Sequence, residues 1–156
     1  MAITRPLTQH FTLAEMVASV KAEQLGIDNT PPAEVVQHLT ATAEMLERIR
    51  TAIRCPIIVT SGYRCPALNK AVGGVTSSDH TTGCAADIVS PTFGTPTELA
   101  RLLSPLVSVL GIQQLILEGI KGKQWVHVST RAPAFANNRI LTITDAGAVT
   151  GIVGLA

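Results

Sequence analysis

Apolar residues recur along this chain at two spacings, and the change from one to the other separates predicted helices from predicted strands. Thr12-Leu13-Ala14-Glu15 has the spacing of a capping box, so a first helix is predicted to run to Leu25 and to stop at Gly26. Thr30 ahead of Pro31-Pro32 reads as the N-cap of a second, longer helix with proline in its first turn. Along that helix Val35, Val36, Leu39, Ala43, Leu46, Ile49 and Ile53 fall on one face, which marks it as a scaffold. His38 stands beside the stripe and His10 lies in the N-terminal segment, and both read as surface residues. Pro56-Ile57-Ile58-Val59-Thr60 is short, apolar and β-branched, which predicts a buried strand.

Pro66 to Val72 predicts a helical turn closed by Gly73-Gly74, followed by a polar loop from Val75 to Thr82. Cys84 to Val89 returns to a period of two, with Ala85, Asp87 and Val89 on one face and Ala86 and Ile88 on the other. Thr95-Pro96-Thr97-Glu98 repeats the capping box, and Leu99, Leu102, Leu103, Leu106 and Val107 give the helix behind it an apolar side. Gln113 to Glu118 and Gln124 to Ser129 read as a hairpin joined by Gly119 to Lys123. If Glu118 lies opposite Trp125, it is a diagonal neighbour of His127, roughly 7 Å away. Ile140 to Thr144 and Ala148 to Val153, around Asp145-Ala146-Gly147, predict a closing hairpin. No repeat or linker interrupts the pattern, so residues 1–156 are expected to form a single domain of the α+β class, with helices packed on a small antiparallel sheet.

Length and charge narrow the partners. A chain of 156 residues buries a full core without needing disulfides or a second subunit, so a monomer is expected. With a formal charge of only +1 and no basic block, nothing recommends nucleic acid or an anionic lipid surface as a partner. No run approaches the length of a membrane span, and the first ten residues lack the basic and apolar regions of a signal peptide. Synthesis in the cytoplasm as a soluble chain is therefore expected. The three cysteines, Cys55, Cys65 and Cys84, are odd in number and lack a Cys-x-x-Cys spacing, which argues against a disulfide framework and a sulfur-ligated zinc.

The remaining polar residues carry the chemistry. His80 and Asp87 stand seven positions apart, where a glycine-rich loop runs into a strand, and His127 lies in the later strand Trp125-Val126-His127-Val128-Ser129. Two imidazoles and one carboxylate are a zinc set that keeps an open fourth position, and that arrangement serves hydrolysis. The three meet only if their strands are sheet neighbours.

A longer ordered pattern surrounds them: Ser61-Gly62-Tyr63-Arg64, Asn69, Gly73-Gly74, Ser78-x-His80-x-x-Gly83-x-Ala85-x-Asp87-Ile88 and Trp125-Val126-His127-Val128. It resembles the zinc-dependent D-Ala-D-Ala carboxypeptidase family, which includes L-alanyl-D-glutamate endolysins of phages and shares a Hedgehog/DD-peptidase fold. The likeness extends to Phe11-Thr12-Leu13-Ala14-Glu15 and to Asn138-Arg139-Ile140-Leu141-Thr142, and it is nearest to the compact phage and prophage branch. The resemblance implies that His80, Asp87 and His127 bind zinc, that Arg64 holds a substrate carboxylate or carbonyl oxygen, and that Ser78 contacts substrate or holds its own loop together.

One position departs from the pattern. Several members of the family carry a glutamate base three residues before the last histidine, where this chain has Gln124. Others carry a glutamate at the end of the preceding strand, as Leu115-Ile116-Leu117-Glu118 does here, so the resemblance assigns the base to Glu118. It implies a zinc peptidase acting on peptidoglycan stem peptides, as carboxypeptidase or endopeptidase, reaching the wall after release from the cell or as part of a phage particle. The rival reading, favoured by Gln124, is a zinc- or wall-binding module of such a particle without catalysis.

Overall fold

The computed structural model describes residues 4–155. The predicted capping box forms: the Thr12 hydroxyl accepts from the Glu15 N–H, and the Glu15 carboxylate accepts from the Thr12 N–H at 2.9 Å. The helix behind it, α1 (Leu13–Val17), is shorter than predicted, and a second helix, α2 (Val20–Leu25), starts after a break at Ala18 and Ser19. Competition for carbonyls explains the break. The Met16 carbonyl accepts from the Tyr63 N–H at 2.7 Å and the Val17 carbonyl from the Asn29 side chain at 2.9 Å, so neither is left for the next turn of helix. Gly26 ends α2 in the left-handed conformation, as expected.

The long helix α3 (Ala33–Ile53) buries all seven residues of its predicted stripe. Its N-cap is Pro32 and not Thr30, because Pro32 remains extended and leaves the first turn without a side-chain cap. Strand β1 (Ile58–Ser61) is an edge strand with half-exposed Ile58, not the buried strand predicted. An apolar run of this length does not reveal whether one or two neighbours flank it, and β1 pairs only with β2.

Next come α4 (Pro66–Ala71), a 3₁₀ turn over Asp79–Thr82, and β2 (Ala85–Val89). The second capping box opens α5 (Pro96–Leu103), after which the chain tightens into a 3₁₀ turn and α6 (Val107–Leu110), so the predicted continuous apolar side is divided between two helices. Strands β3 (Gln114–Ile120) and β4 (Lys123–Ser129) form the predicted hairpin with a tighter turn than expected. Only Lys121 and Gly122 lie outside the strands, both with positive φ (50° and 77°), as a two-residue turn of the hairpin type requires. The chain closes with β5 (Ile140–Thr144) and β6 (Gly147–Thr150).

These strands build one sheet in the order β1-β2-β4-β3-β5-β6. The α+β class holds, but the sheet is not wholly antiparallel: β5 pairs parallel to β3, because the chain between β4 and β5 passes β3 instead of turning back beside β4. One face carries Ala86, Ile88, Leu115, Leu117, Val126 and Val128, all fully buried beneath the helices. The other carries Asp87, Ile116, Glu118, Trp125 and His127 and forms the floor of a cleft. Among the described residues no helix is long and apolar enough to cross a membrane.

The scaffold helix reaches the cleft through one loop. The buried Thr42 hydroxyl donates to the Gly83 carbonyl at 2.8 Å, and the His38 ring donates through Nδ1 to the Thr82 carbonyl at 2.8 Å. Gly83 has φ 77°, and a Cβ there would lie 2.9 Å from the Val35 carbonyl oxygen. Left-handed backbone alone costs a residue with a Cβ roughly 1–2 kcal/mol. Gly83→Ala is therefore expected to lower unfolding free energy by at least about 2 kcal/mol once the close contact is added, as measured by urea denaturation.

Candidate metal centre

Each residue of the centre owes its place to a different constraint. Asp87 sits mid-way along β2, directly opposite His127 on β4 and Ser61 on β1. Facing positions on neighbouring strands bring Asp87 and His127 together, although forty positions separate them in sequence. His80 comes from the 3₁₀ turn, where the Ser78 hydroxyl accepts from the His80 N–H at 3.3 Å and Gly83 closes the turn in left-handed conformation. The His80 ring is then fixed from the far side: Nδ1 donates to the Gly62 carbonyl at 2.7 Å.

That hydrogen bond settles which atom of His80 is free. With Nδ1 protonated, Nε2 of the neutral ring presents its lone pair inward, 3.1 Å from Asp87 Oδ1 and 3.2 Å from His127 Nδ1. His127 Nδ1 lies 3.0 Å from the same Asp87 oxygen. Three donor atoms thus form a nearly equilateral triangle, and all three side chains are buried. A point equidistant from them lies about 1.8 Å from each, close to the roughly 2.0–2.2 Å of zinc bonds to imidazole nitrogen and carboxylate oxygen. Converging lone pairs in a buried site repel unless a cation or protons occupy the middle, so the donor set fits a divalent metal.

Electrostatics agree with this picture. Burial pushes the Asp87 carboxyl up, but the His80 and His127 rings that crowd it outweigh burial and hold the group well below the usual carboxylate range. Asp87 is therefore an anion, as a ligand must be. Glu118 behaves differently: burial and the neighbouring Asp87 charge raise its pKa, against weaker pulls from His127, Arg64 and the Trp125 N–H, which approaches without completing a hydrogen bond. Glu118 lies opposite Trp125, in the register on which its proximity to His127 depends.

The cleft around the triangle has a volume of about 880 Å³ and includes Arg64, Ser78 and Glu118 in its lining. Burial lowers the Arg64 pKa while Asp87 and Glu118 act the other way, and the guanidinium remains a cation. Its Nε is buried and has no acceptor among the described residues; the same holds for Trp125 Nε1. Gln124 is an odd number of positions from His127 on β4, so its side chain leaves by the opposite face and is absent from the cleft lining. Cys84 likewise stands outside the donor group, with its thiol 3.9 Å from the Thr82 carbonyl. A second hollow, lined by residues such as Leu13, Val17 and Ile27, is mostly apolar and holds no such cluster.

Residues 9–129 match the sequence profile of peptidase M15. The chain belongs to the peptidase M15 family. No curated protein matches it significantly. Family members are zinc-dependent, and the buried group of His80, Asp87 and His127 is suited to hold that ion. Membership accounts for the mixed helix and sheet architecture and makes this M15 chain a metallopeptidase.

Some contributors carried no sequence signal of their own. Gly62 was legible as part of a motif, but its role as acceptor for His80 depends on a contact between residues eighteen positions apart. Asn29 donates to the Val17 and Tyr63 carbonyls and accepts from the Cys65 N–H at 2.8 Å, pinning the backbone on both sides of Arg64.

Metal analysis of purified protein is expected to give stoichiometric zinc, and His80→Ala, Asp87→Ala and His127→Ala are each expected to abolish tight binding. Zinc at a hundred times its dissociation constant should add about 2.7 kcal/mol to unfolding free energy, read as a higher melting temperature than in chelator. A second expectation concerns the metal-free protein. Because the folded-state pKa of Glu118 is raised, its ionised form is a cost to stability that is present at neutral pH and vanishes as pH falls through that value toward the ordinary glutamate range. Glu118→Gln should therefore melt higher than the parent at pH 7 in chelator, with the gap closing toward about pH 4.

Proposed function

We propose that this M15 metallopeptidase hydrolyses the stem peptides of peptidoglycan, with Glu118 as general base and Arg64 orienting the substrate. The observation that carries the reading is the position of Glu118: the carboxylate shares the cleft with three convergent donor atoms and is a cross-strand neighbour of the histidine-bearing strand. When bound, zinc would polarise the scissile carbonyl and acidify the attacking water. Glu118 accepts the proton of that water and passes it to the leaving amine, a task suited to a carboxyl with a raised pKa. The Arg64 guanidinium offers paired donors to a carboxylate or carbonyl of the peptide.

Ser78 belongs to the same lining, and its bond to the His80 N–H makes support of the ligand loop its first role. The non-catalytic alternative rests on Gln124; what weighs against it is that the cleft lining includes the carboxylate of Glu118 and not Gln124. Action on the wall after release from the cell, or as a component of a phage particle, follows from the choice of substrate. The preference between carboxypeptidase and endopeptidase cleavage is set by where along the cleft the peptide ends.

Digestion of purified peptidoglycan, followed by mass spectrometry of the released peptides, tests substrate and bond together. Glu118→Gln is expected to keep zinc and to lose activity by about 10²- to 10⁴-fold. Full activity in that variant would remove Glu118 from the mechanism, and zinc-loaded parent protein that releases no new amines from the wall would remove the wall as substrate.

A further inference from the structure

The two histidines of the centre are held in different ways. His80 is fixed through its own ring by the Gly62 carbonyl, whereas His127 turns Nδ1 to the donor group and, among the described residues, no hydrogen bond reaches its Nε2. The orientation of His127 therefore depends on the main chain of β4. Two residues further on, on the same face, Ser129 is fully buried and donates its hydroxyl to Asp79 Oδ2 at 2.7 Å. Asp79 immediately precedes His80. One hydrogen bond spanning fifty positions thus joins the backbone that carries one histidine to the backbone that carries the other.

Both ends of this bond are anchored. The Asp79 carbonyl accepts from the Cys84 N–H at 3.0 Å and the Thr82 hydroxyl at 3.1 Å, which ties Asp79 into the 3₁₀ turn. Ser129 pairs with Ala85 on one side and Gln114 on the other, and its hydroxyl oxygen accepts from the Arg131 N–H at 3.0 Å. A hydroxyl donating to a carboxylate is short and strong when buried, and its loss leaves a carboxylate oxygen without its partner. The other oxygen of Asp79 is different: Arg131 Nη1 lies 3.5 Å from Oδ1, and the Arg131 side chain is 58% exposed. A rim pair of that kind holds little in place.

We propose that Asp79 and Ser129 form a clasp that sets the spacing between His80 and His127, making both of them positioning residues for the metal. The proposal rests on the reading of His80, Asp87 and His127 as the ligands. Partners outside the ligand shell commonly govern metal affinity by ten- to a hundredfold, and this pair, acting through the backbone, belongs at the lower end. The loss should appear as weaker zinc binding and not as unfolding, because both anchors stay within turns and strands that have their own hydrogen bonds.

Zinc dissociation constants of the full chain, measured by chelator competition, test this without recourse to activity. Ser129→Ala and Asp79→Ala are each expected to weaken zinc binding about tenfold, and the double variant to be no weaker than either single one. Asp79→Asn, whose amide oxygen still accepts from Ser129, and Arg131→Ala should stay near the parent value. Cooperative melting of each variant in chelator separates lost spacing from lost fold, and Ser129→Ala with Asp79→Asn carry the test if Asp79→Ala does not fold. Parent affinity in Ser129→Ala, or losses that add independently in the double variant, would overturn the clasp. Parent affinity in His127→Ala would instead overturn the ligand assignment on which the clasp rests.

Discussion

The carbonyl of Gly62 is the fixed point of this molecule. Gly62 faces His80 while packed so closely against the end of α1 that a Cβ would collide with the Met16 carbonyl oxygen. The next residue, Tyr63, donates to that same Met16 carbonyl, and this takes from α1 the acceptor it would need for another turn. The broken first helix, the glycine in the Ser61-Gly62-Tyr63-Arg64 motif and the tautomer of His80 are therefore one constraint seen at three distances. From His80 it passes to Asp87 and His127, whose own positions follow from the pairing of β2 with β4.

Around that point the fold gathers groups that repel one another. Asp87 is held as a buried anion, Glu118 is placed where its own charge is disfavoured, and two imidazole lone pairs face the same small volume. Nothing in the packing of α3, α5 and the apolar face of the sheet requires this arrangement; the core on that side is complete without it. Structures retain such local conflicts where function needs them, with stability supplied elsewhere. Here the supply is the apolar layer of the core, and a cation among the three donors would relieve the conflict.

Much of this was legible in the residues, for identifiable reasons. Capping boxes at Thr12 and Thr95, the stripe of α3 and the alternation through Asp87 and through His127 are local patterns, and they formed as read. So did the register that sets Glu118 opposite Trp125, because a tight turn at Lys121 and Gly122 leaves little freedom for slippage. The readings that changed involve a partner distant in sequence. Thr30 does not cap α3, since Pro32 is still extended and is itself the N-cap. Ile58 is on an edge, since strand order is not written in a strand's own composition. Asp79 looked like an ordinary loop residue because the serine that gives it meaning lies fifty positions away.

The sheet order carries a consequence for how the protein acquires its metal. The β3–β4 hairpin joins strands across a two-residue turn, a pairing that closes within microseconds in isolated peptides. The pairing of β2 with β4, and the parallel pairing of β5 with β3, each join strands across an intervening segment and must wait for larger loops to close. His127 is thus on a strand that forms early, while Asp87 and His80 arrive with a strand and a turn that dock late. The ligand set is therefore incomplete until β2 has paired with β4, so the β3–β4 hairpin alone offers a metal only one of the three donors.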